Sequence, residues 1–438
     1  MLFTNLKNLS YNKKLQQIKK SFKPAKADFN TKAIDSAVEA AASGIYENCK
    51  SKFKKCANVE KSSIAILATE LYGTGGHTPC LSNFVKSFHN DFQLNIFLSR
   101  LSKTNERLPD AKLEEIQRMV PFHGINSSKK GYASDIINLY NLIVESAPGV
   151  IFVYTHPNDV TSAAVLSLIK SQTQIKVVFF NHADHFPSLS MKFSDKIIDA
   201  RPAGYNLTRE KRGYKNNLLI DLQGKSESEN ALFSKKEVID KKLELGFKAD
   251  DLISMTGCTP YKLFDTEESS SYFTMIRDLL TQHKTLNHLI VSNFNELQLK
   301  VINNIFKNHE EPFSRLKIVP IQSNFDLLIQ LADIFIDSFP QGSALTHIDC
   351  MRNKTPTVVK INKEDQFKSF EYYLPENYQY KYESVDAMKD GITQLVNSLE
   401  NRNETAAELY NYFINRFEFQ VVKGKYKQLI EGILNENS

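Results

Sequence analysis

A chain of 438 residues, 42% hydrophobic and 24% charged, is long enough for two full domains and has the composition of a soluble globular protein. Its net charge of +5 is too small for this length to point to nucleic acid. Five scattered cysteines (Cys49, Cys56, Cys80, Cys258, Cys350) with no Cys-x-x-Cys argue against a disulfide framework or a structural zinc site.

No run approaches 18 apolar residues and no signal-peptide core opens the chain, so a cytoplasmic location is expected. Residues 1–60 read as a basic helical extension. Lys7, Lys13, Lys14, Lys19, Lys20, Lys23 and Lys26 precede the first acid, Asp28, and interleave with Leu2, Phe3, Leu6, Leu9, Leu15, Ile18 and Phe22. Such a segment could touch the inner membrane face peripherally or pack on its own enzyme. A second helix is predicted over Ala33 to Lys55.

From Ser62 strands alternate with helices. The first run comprises Ile64–Leu67, Leu94–Leu98, Ile151–Tyr154, Val177–Phe180 and Lys196–Asp199. A polar stretch, 223–250, separates it from a second run: Leu252–Met255, His288–Val291, Leu316–Val319, Ile334–Ile336 and Thr357–Val359. This alternation predicts an α/β protein of two Rossmann-like doubly wound domains, 61–222 and 251–400, facing a cleft. Helices over 401–438 could cross back to the first domain.

Four motifs stand at carboxyl ends of predicted strands. Gly73-Thr74-Gly75-Gly76-His77-Thr78 lets the backbone approach a ligand closely, with Gly75 and Gly76 as a phosphate or acceptor loop and His77 as an acid/base candidate. It is neither a P-loop nor a Gly-x-Gly-x-x-Gly. Asn181-His182-Ala183-Asp184-His185 offers His182 and Asp184 to orient an acceptor hydroxyl. A metal reading of that motif would need a further ligand cluster, which the neighbouring sequence does not provide. Arg201, with Arg209, Lys211 and Arg212, makes a basic loop suited to a phosphate or anionic acceptor, or simply a solvated charge run. His156 and Asp159 close another strand and read as structural.

In the second run, Gly257-Cys258-Thr259-Pro260-Tyr261-Lys262 follows one strand and Gln322-Ser323-Asn324-Phe325-Asp326 another. The segment Ala332–Asp349 passes from an apolar strand through Pro340 and Gly342 to a helix start at Ser343-Ala344-Leu345-Thr346. A strand, a small-residue turn and a helix N-terminus aim backbone N–H groups at one point, which suits a phosphate. Asp349, one turn on, could reach a ribose hydroxyl.

With Asp333, Asp337, Phe339, Pro340, Gly342, Thr346, Asp349 and Thr355-Pro356 at matching spacings, this segment resembles the donor-binding segment of GT-B glycosyltransferases, particularly bacterial relatives of the O-GlcNAc transferase group. The resemblance implies a nucleoside-diphosphate sugar, UDP-linked, held by Lys262 as phosphate-binding lysine with Gly257, Gly342, Ser343, Thr346 and Asp349, and with Phe325 near the base. It implies no metal or other cofactor, and a glycan, lipid-linked glycan or protein as acceptor at His77, His182 and Asp184. The lack of tetratricopeptide repeats favours a glycan. Ala344-Leu345 stands where that group carries more polar residues, and this motivates the alternative of a non-catalytic GT-B-like partner of another transferase. A sugar-nucleotide epimerase of the same fold is a third reading.

Overall fold

A computed structural model describes residues 10–24, 31–56, 58–73, 76–108, 110–126, 131–225, 233–321 and 324–436. The chain forms two compact units, 1–223 with 422–438, and 224–421.

The first unit is built on seven strands: β1 (Glu60–Ala68), β2 (Gln93–Leu98), β3 (Phe122–Gly124), β4 (Pro148–Tyr154), β5 (Lys176–Phe180), β6 (Lys196–Asp199) and β7 (Asn217–Leu219). They are ordered β3-β2-β1-β4-β5-β6-β7 and every pairing is parallel. Helices cover both faces, which is why the central strands are apolar without alternation. Ile66, for example, pairs with Ile96 on one side and Phe152 on the other.

One face of this sheet, including Ala65, Leu67, Ile151, Val153, Val177 and Phe179, packs with helices Tyr132–Glu145 and Val160–Gln172. The N-terminal helices Tyr11–Ser21 and Lys32–Asn48 join the same core through Leu15, Ile18, Val38, Ala41 and Ile45, all buried. Burying residues such as Leu15, Ile18 and Phe22 contributes about 1.5–3 kcal/mol each, so the described part of the apolar stripe is committed to the protein's own interior rather than to a membrane. Lys7 and Lys26 lie outside the described residues. Among the described residues no helix is long and apolar enough to cross a membrane.

On the other face, Phe84 lies 4.4 Å from Phe152, ring to ring, and Tyr426 closes over both at 5.6 and 6.4 Å. Tyr426 belongs to the last helix, Phe419–Asn435, whose residues from Val422 onward pack in the first unit. The preceding helix, Leu399–Arg416, stays with the second unit.

The second unit has six strands: β8 (Leu252–Gly257), β9 (Leu286–Val291), β10 (Leu316–Val319), β11 (Ile334–Ile336), β12 (Thr357–Lys360) and β13 (Lys381–Tyr382). Their order is β10-β9-β8-β11-β12-β13, again all parallel. The stretch read as a polar connection is in part structured. Helix Lys235–Glu244 opens on a capping box in which Ser234 and Glu237 satisfy each other's backbone N–H. Val238, Leu245 and Phe247 then join the second unit's core with Leu328, Ile329 and Leu331.

Candidate functional site

In the first unit, β1 delivers Thr69-Glu70-Leu71-Tyr72 to its carboxyl end. The next helix, His77–Phe88, begins at His77 itself rather than near Pro79, with exposed Gly76 as its N-cap. Gly75 lies outside the described residues. His77 is 4% exposed, and its Nε2 is 2.6 Å from the carbonyl oxygen of Tyr154, the last residue of β4. A carbonyl can only accept, so the proton sits on Nε2 and Nδ1 keeps a lone pair. That Nδ1 has no hydrogen-bond partner among the described residues. Burial pushes the imidazole down to about 4, against the pull of the Tyr154 carbonyl.

Two more histidines surround it. The His182 ring is 4.8 Å from that of His77 and the His156 ring 5.9 Å, while Tyr72 stacks on His77 at 5.4 Å. Burial, reinforced by His77, holds His182 well below the usual imidazole range, and burial lowers His156 too. Glu70, 8% exposed, accepts from Arg107 at 2.9 Å, with Arg100 at 3.5 Å and His156 Nδ1 at 3.8 Å. The cluster therefore presents imidazoles that stay neutral at neutral pH, each neutral ring keeping one nitrogen lone pair, beside the Glu70 carboxylate and its two arginines. Glu70 and Tyr72 were not singled out from sequence. Their signal was position, immediately after β1 and beside the glycines.

Asp184 and Arg201 do something other than expected. Arg201 Nε and Nη2 donate to the two Asp184 carboxylate oxygens at 2.5 and 2.7 Å, and both residues are buried. Burial alone would raise the Asp184 carboxyl, but the Arg201 hydrogen bonds outweigh it and hold the carboxyl below its usual range. Gly204 makes room for the pair, since a Cβ there would stand 2.6 Å from Asp184 Oδ2. Arg212 donates to the carbonyls of Asp184 and Phe186, both at 2.6 Å. Asp184 is thus a structural partner of Arg201, not an acid or base facing an acceptor, and Arg201 is occupied by it rather than presented to phosphate. His185 is exposed, lies against Phe186 at 3.9 Å between rings, and brings its Nδ1 to 3.6 Å from Asp184 Oδ1, so it joins Asp184 while His182 joins His77.

In the second unit, β8 leads through Gly257 and Cys258 into the short turn Pro260–Leu263. Lys262, on that turn, places its Nζ 2.8 Å from the Gly342 carbonyl and 3.4 Å from Ser343 Oγ. No carboxylate lies within ion-pair distance of it among the described residues. Burial lowers the ammonium's pKa, with Asp337 and Cys258 partly opposing. The facing loop is braced from beneath. Asp337 accepts from the Ser343 N–H at 3.1 Å, and His347 Nε2 stands 3.0 Å from Asp337 Oδ2, too poorly aligned for a hydrogen bond. A Cβ on Gly342 would meet the same Oδ2 at 2.6 Å. The Asp337–His347 pair was not anticipated as a site feature, because nothing in the sequence says that two residues ten apart meet under a turn.

Thr346 is half-buried in the first turn of helix Leu345–Arg352. Asp349 lies one turn later in an ionic cluster, 3.3 Å from Lys225 and 3.8 Å from Arg352, while Lys225 also reaches Asp326 at 2.8 Å. Burial raises the Asp349 carboxyl and Lys225 counters this. A ribose hydroxyl would have to share that carboxylate with Lys225. Phe325 packs over Gly257, where a Cβ would stand 2.4 Å from its ring, and leans on the second core. Burial pushes the Cys258 thiol up to about 12, so it is no nucleophile.

No family model matches this chain, and no curated protein matches it in sequence. Solved structures do match it along most of its length. A glycosyltransferase from Rickettsia africae aligns at 11% identity with a TM-score of 0.67, covering 86% of this chain and 99% of that one. HepE from Anabaena, in complex with UDP and glucose, aligns at 14% identity and TM-score 0.65, covering 85% and 100%. The O-GlcNAc transferase of Thermobaculum terrenum aligns at 8% identity and TM-score 0.56, covering 99% and 80%.

The fold is GT-B. Open α/β sheets bind ligands outside the carboxyl ends of their strands, where the strand order reverses. In this GT-B chain the first unit reverses between β1 and β4, which is where Glu70, His77 and His156 stand. The second reverses between β8 and β11, whose carboxyl ends carry Lys262 and the Asp337–Ser343 loop.

Proposed function

We propose that this protein is a metal-independent, cytoplasmic glycosyltransferase that moves a sugar from a UDP-linked donor to a hydroxyl of a cell-surface glycan. The observation that carries the reading is Lys262, a largely buried ammonium whose neighbours are a carbonyl and a hydroxyl rather than a carboxylate. Such a site gains most from an incoming anion, and a diphosphate at the carboxyl ends of β8 and β11 would supply one. HepE, of like fold, has been solved with UDP, and the same nucleotide is proposed here.

In the reaction the acceptor oxygen attacks the anomeric carbon as the bond to the diphosphate breaks. Lys262 neutralises charge growing on the leaving diphosphate, the Gly342-Ser343 turn holds the phosphates, and Thr346 and Asp349 position the nucleoside. The acceptor's proton passes to a neutral imidazole, with His77 Nδ1 as the base and His182 beside it. The test is UDP release from a panel of UDP-sugars with and without added glycan acceptors. Release with one donor, reduced about 10²-fold or more in Lys262→Ala, supports the reading. Nucleotide binding without release from any donor would favour a non-catalytic partner role, and no binding at all would overturn the donor site.

A further inference from the structure

The first unit contains a cavity of about 180 Å³ that the reading above does not use. Its walls include Lys19, Ser99, Arg100, Tyr132, Asp135 and Asp159. Ser99 follows β2, Asp159 caps helix Val160–Gln172 after β4, and Tyr132 opens helix Tyr132–Glu145. The cavity thus lies at the same reversal of strand order as the histidine cluster. Thr69 joins the two places, donating to Asp159 at 2.7 Å while its hydroxyl accepts the His156 N–H at 2.8 Å.

We propose that this cavity binds one neutral sugar residue of the acceptor, an inference that rests on the glycosyltransferase reading. Size comes first: a cavity of ~150 Å³ accommodates a benzene ring, so a six-membered sugar ring fits here, and drug-sized pockets start near 300 Å³. Polarity then selects the class. Lys19 and Arg100 donate, Asp135 and Asp159 accept, and Ser99, whose proton goes to Asp159, adds an acceptor. A phosphate would face two carboxylates and a cation would face an ammonium and a guanidinium, each a like-charge contact. Sugar hydroxyls donate and accept at once and can use both sets. The Asp159 carboxylate is fixed in the wall by Thr69, Ser99 and Ser162, so its direction is set before anything binds. Tyr132 adds an aromatic face for the C–H side of a pyranose.

Lys19 gives the N-terminal helix a role in this site. Asn12 accepts the Ala133 N–H at 2.8 Å, pinning helix Tyr11–Ser21 to the start of Tyr132–Glu145, and buried Leu15 and Ile18 hold the rest. Lys19 Nζ then lies 6.0 Å from the Tyr132 ring centroid, with no ion-pair partner among the described residues. The basic arm is thereby a wall of the site.

Saturation-transfer NMR on the full chain tests this, using methyl glycosides of glucose, galactose and N-acetylglucosamine, with inorganic phosphate as competitor and UDP binding measured in parallel. The expected result is saturation of one glycoside, not displaced by phosphate, and at least fivefold weaker in both Lys19→Met and Tyr132→Leu at unchanged melting temperature. Two variants guard against one failing to fold. No saturation, saturation unchanged in a folded variant, or displacement by phosphate would each overturn the proposal. If UDP binds and no glycoside does, the sugar site fails and the donor reading stands. If a glycoside binds as expected and UDP does not, the donor reading fails.

Discussion

His77 Nε2 rests 2.6 Å from the Tyr154 carbonyl oxygen, and this one contact fixes which nitrogen of a buried histidine is free to act. The ring is neutral at pH 7, with its free Nδ1 inside the cluster. Replacing His77 by Asn is expected to lower sugar transfer by about 10²–10⁴-fold while leaving UDP affinity unchanged. Steady-state transfer and UDP titration on the same variant check both halves.

The same histidine makes a stability prediction. Its folded pKa of about 4 lies below the ordinary value of 6.5, so between these pH values the unfolded chain binds the extra proton. Stability from this group is complete above pH 6.5 and is lost as pH falls toward 4, by up to ~3 kcal/mol. His156 and His182 shift in the same direction. Urea midpoints at pH 7.5 and 4.5 should differ less in His77→Asn than in the wild type, and equal differences would contradict the assignment.

Asp35 works with the opposite sign. It is 1% exposed, accepts a 2.6 Å hydrogen bond from Thr31, and has a carboxyl that burial raises to about 6. Between pH 3.8 and 6 the folded chain holds the extra proton, so this contribution is present at low pH and lost as pH rises through 6. Asp35→Asn should therefore stabilise the protein at pH 7.5 by on the order of 2 kcal/mol and give no gain at pH 4. Thermal unfolding at the two pH values reads this directly.

Arg201 and Asp184 form a buried bidentate pair, and removing one partner strands the other. Arg201→Met is expected to cost about 3–5 kcal/mol in urea unfolding, and the double variant with Asp184→Leu should recover a large part of it. A free catalytic Asp184 would instead show a large loss of activity in Asp184→Asn with little loss of stability.

Much of this was legible before any coordinates. Ten of the thirteen strands were placed because parallel strands covered on both faces must be apolar runs, and such runs stand out. The three missed strands, β3, β7 and β13, are two- or three-residue edge pieces such as Phe122-His123-Gly124 and Lys381-Tyr382, too short to carry a pattern. His77 and Lys262 could be singled out as candidates because a residue at a strand's carboxyl end keeps a fixed place in sequence. Pairings across the fold keep no such place. Arg201 lies seventeen residues beyond Asp184, and a basic loop looks the same whether it meets phosphate or a buried carboxylate. The basic arm left two readings open for a similar reason. Lysines alternating with leucines fit a membrane surface and a packed helix equally, and only Leu15 and Ile18 at full burial decide between them.

The central claim is that Lys262 waits for a diphosphate, and calorimetric titration with UDP of the wild type, Lys262→Arg and Lys262→Ala tests it most directly. The account predicts saturable binding by the wild type, partial retention in Lys262→Arg, and at least tenfold weaker binding in Lys262→Ala, about 1.4 kcal/mol or more. UDP affinity indifferent to Lys262→Ala, or no UDP binding by the wild type, would contradict it.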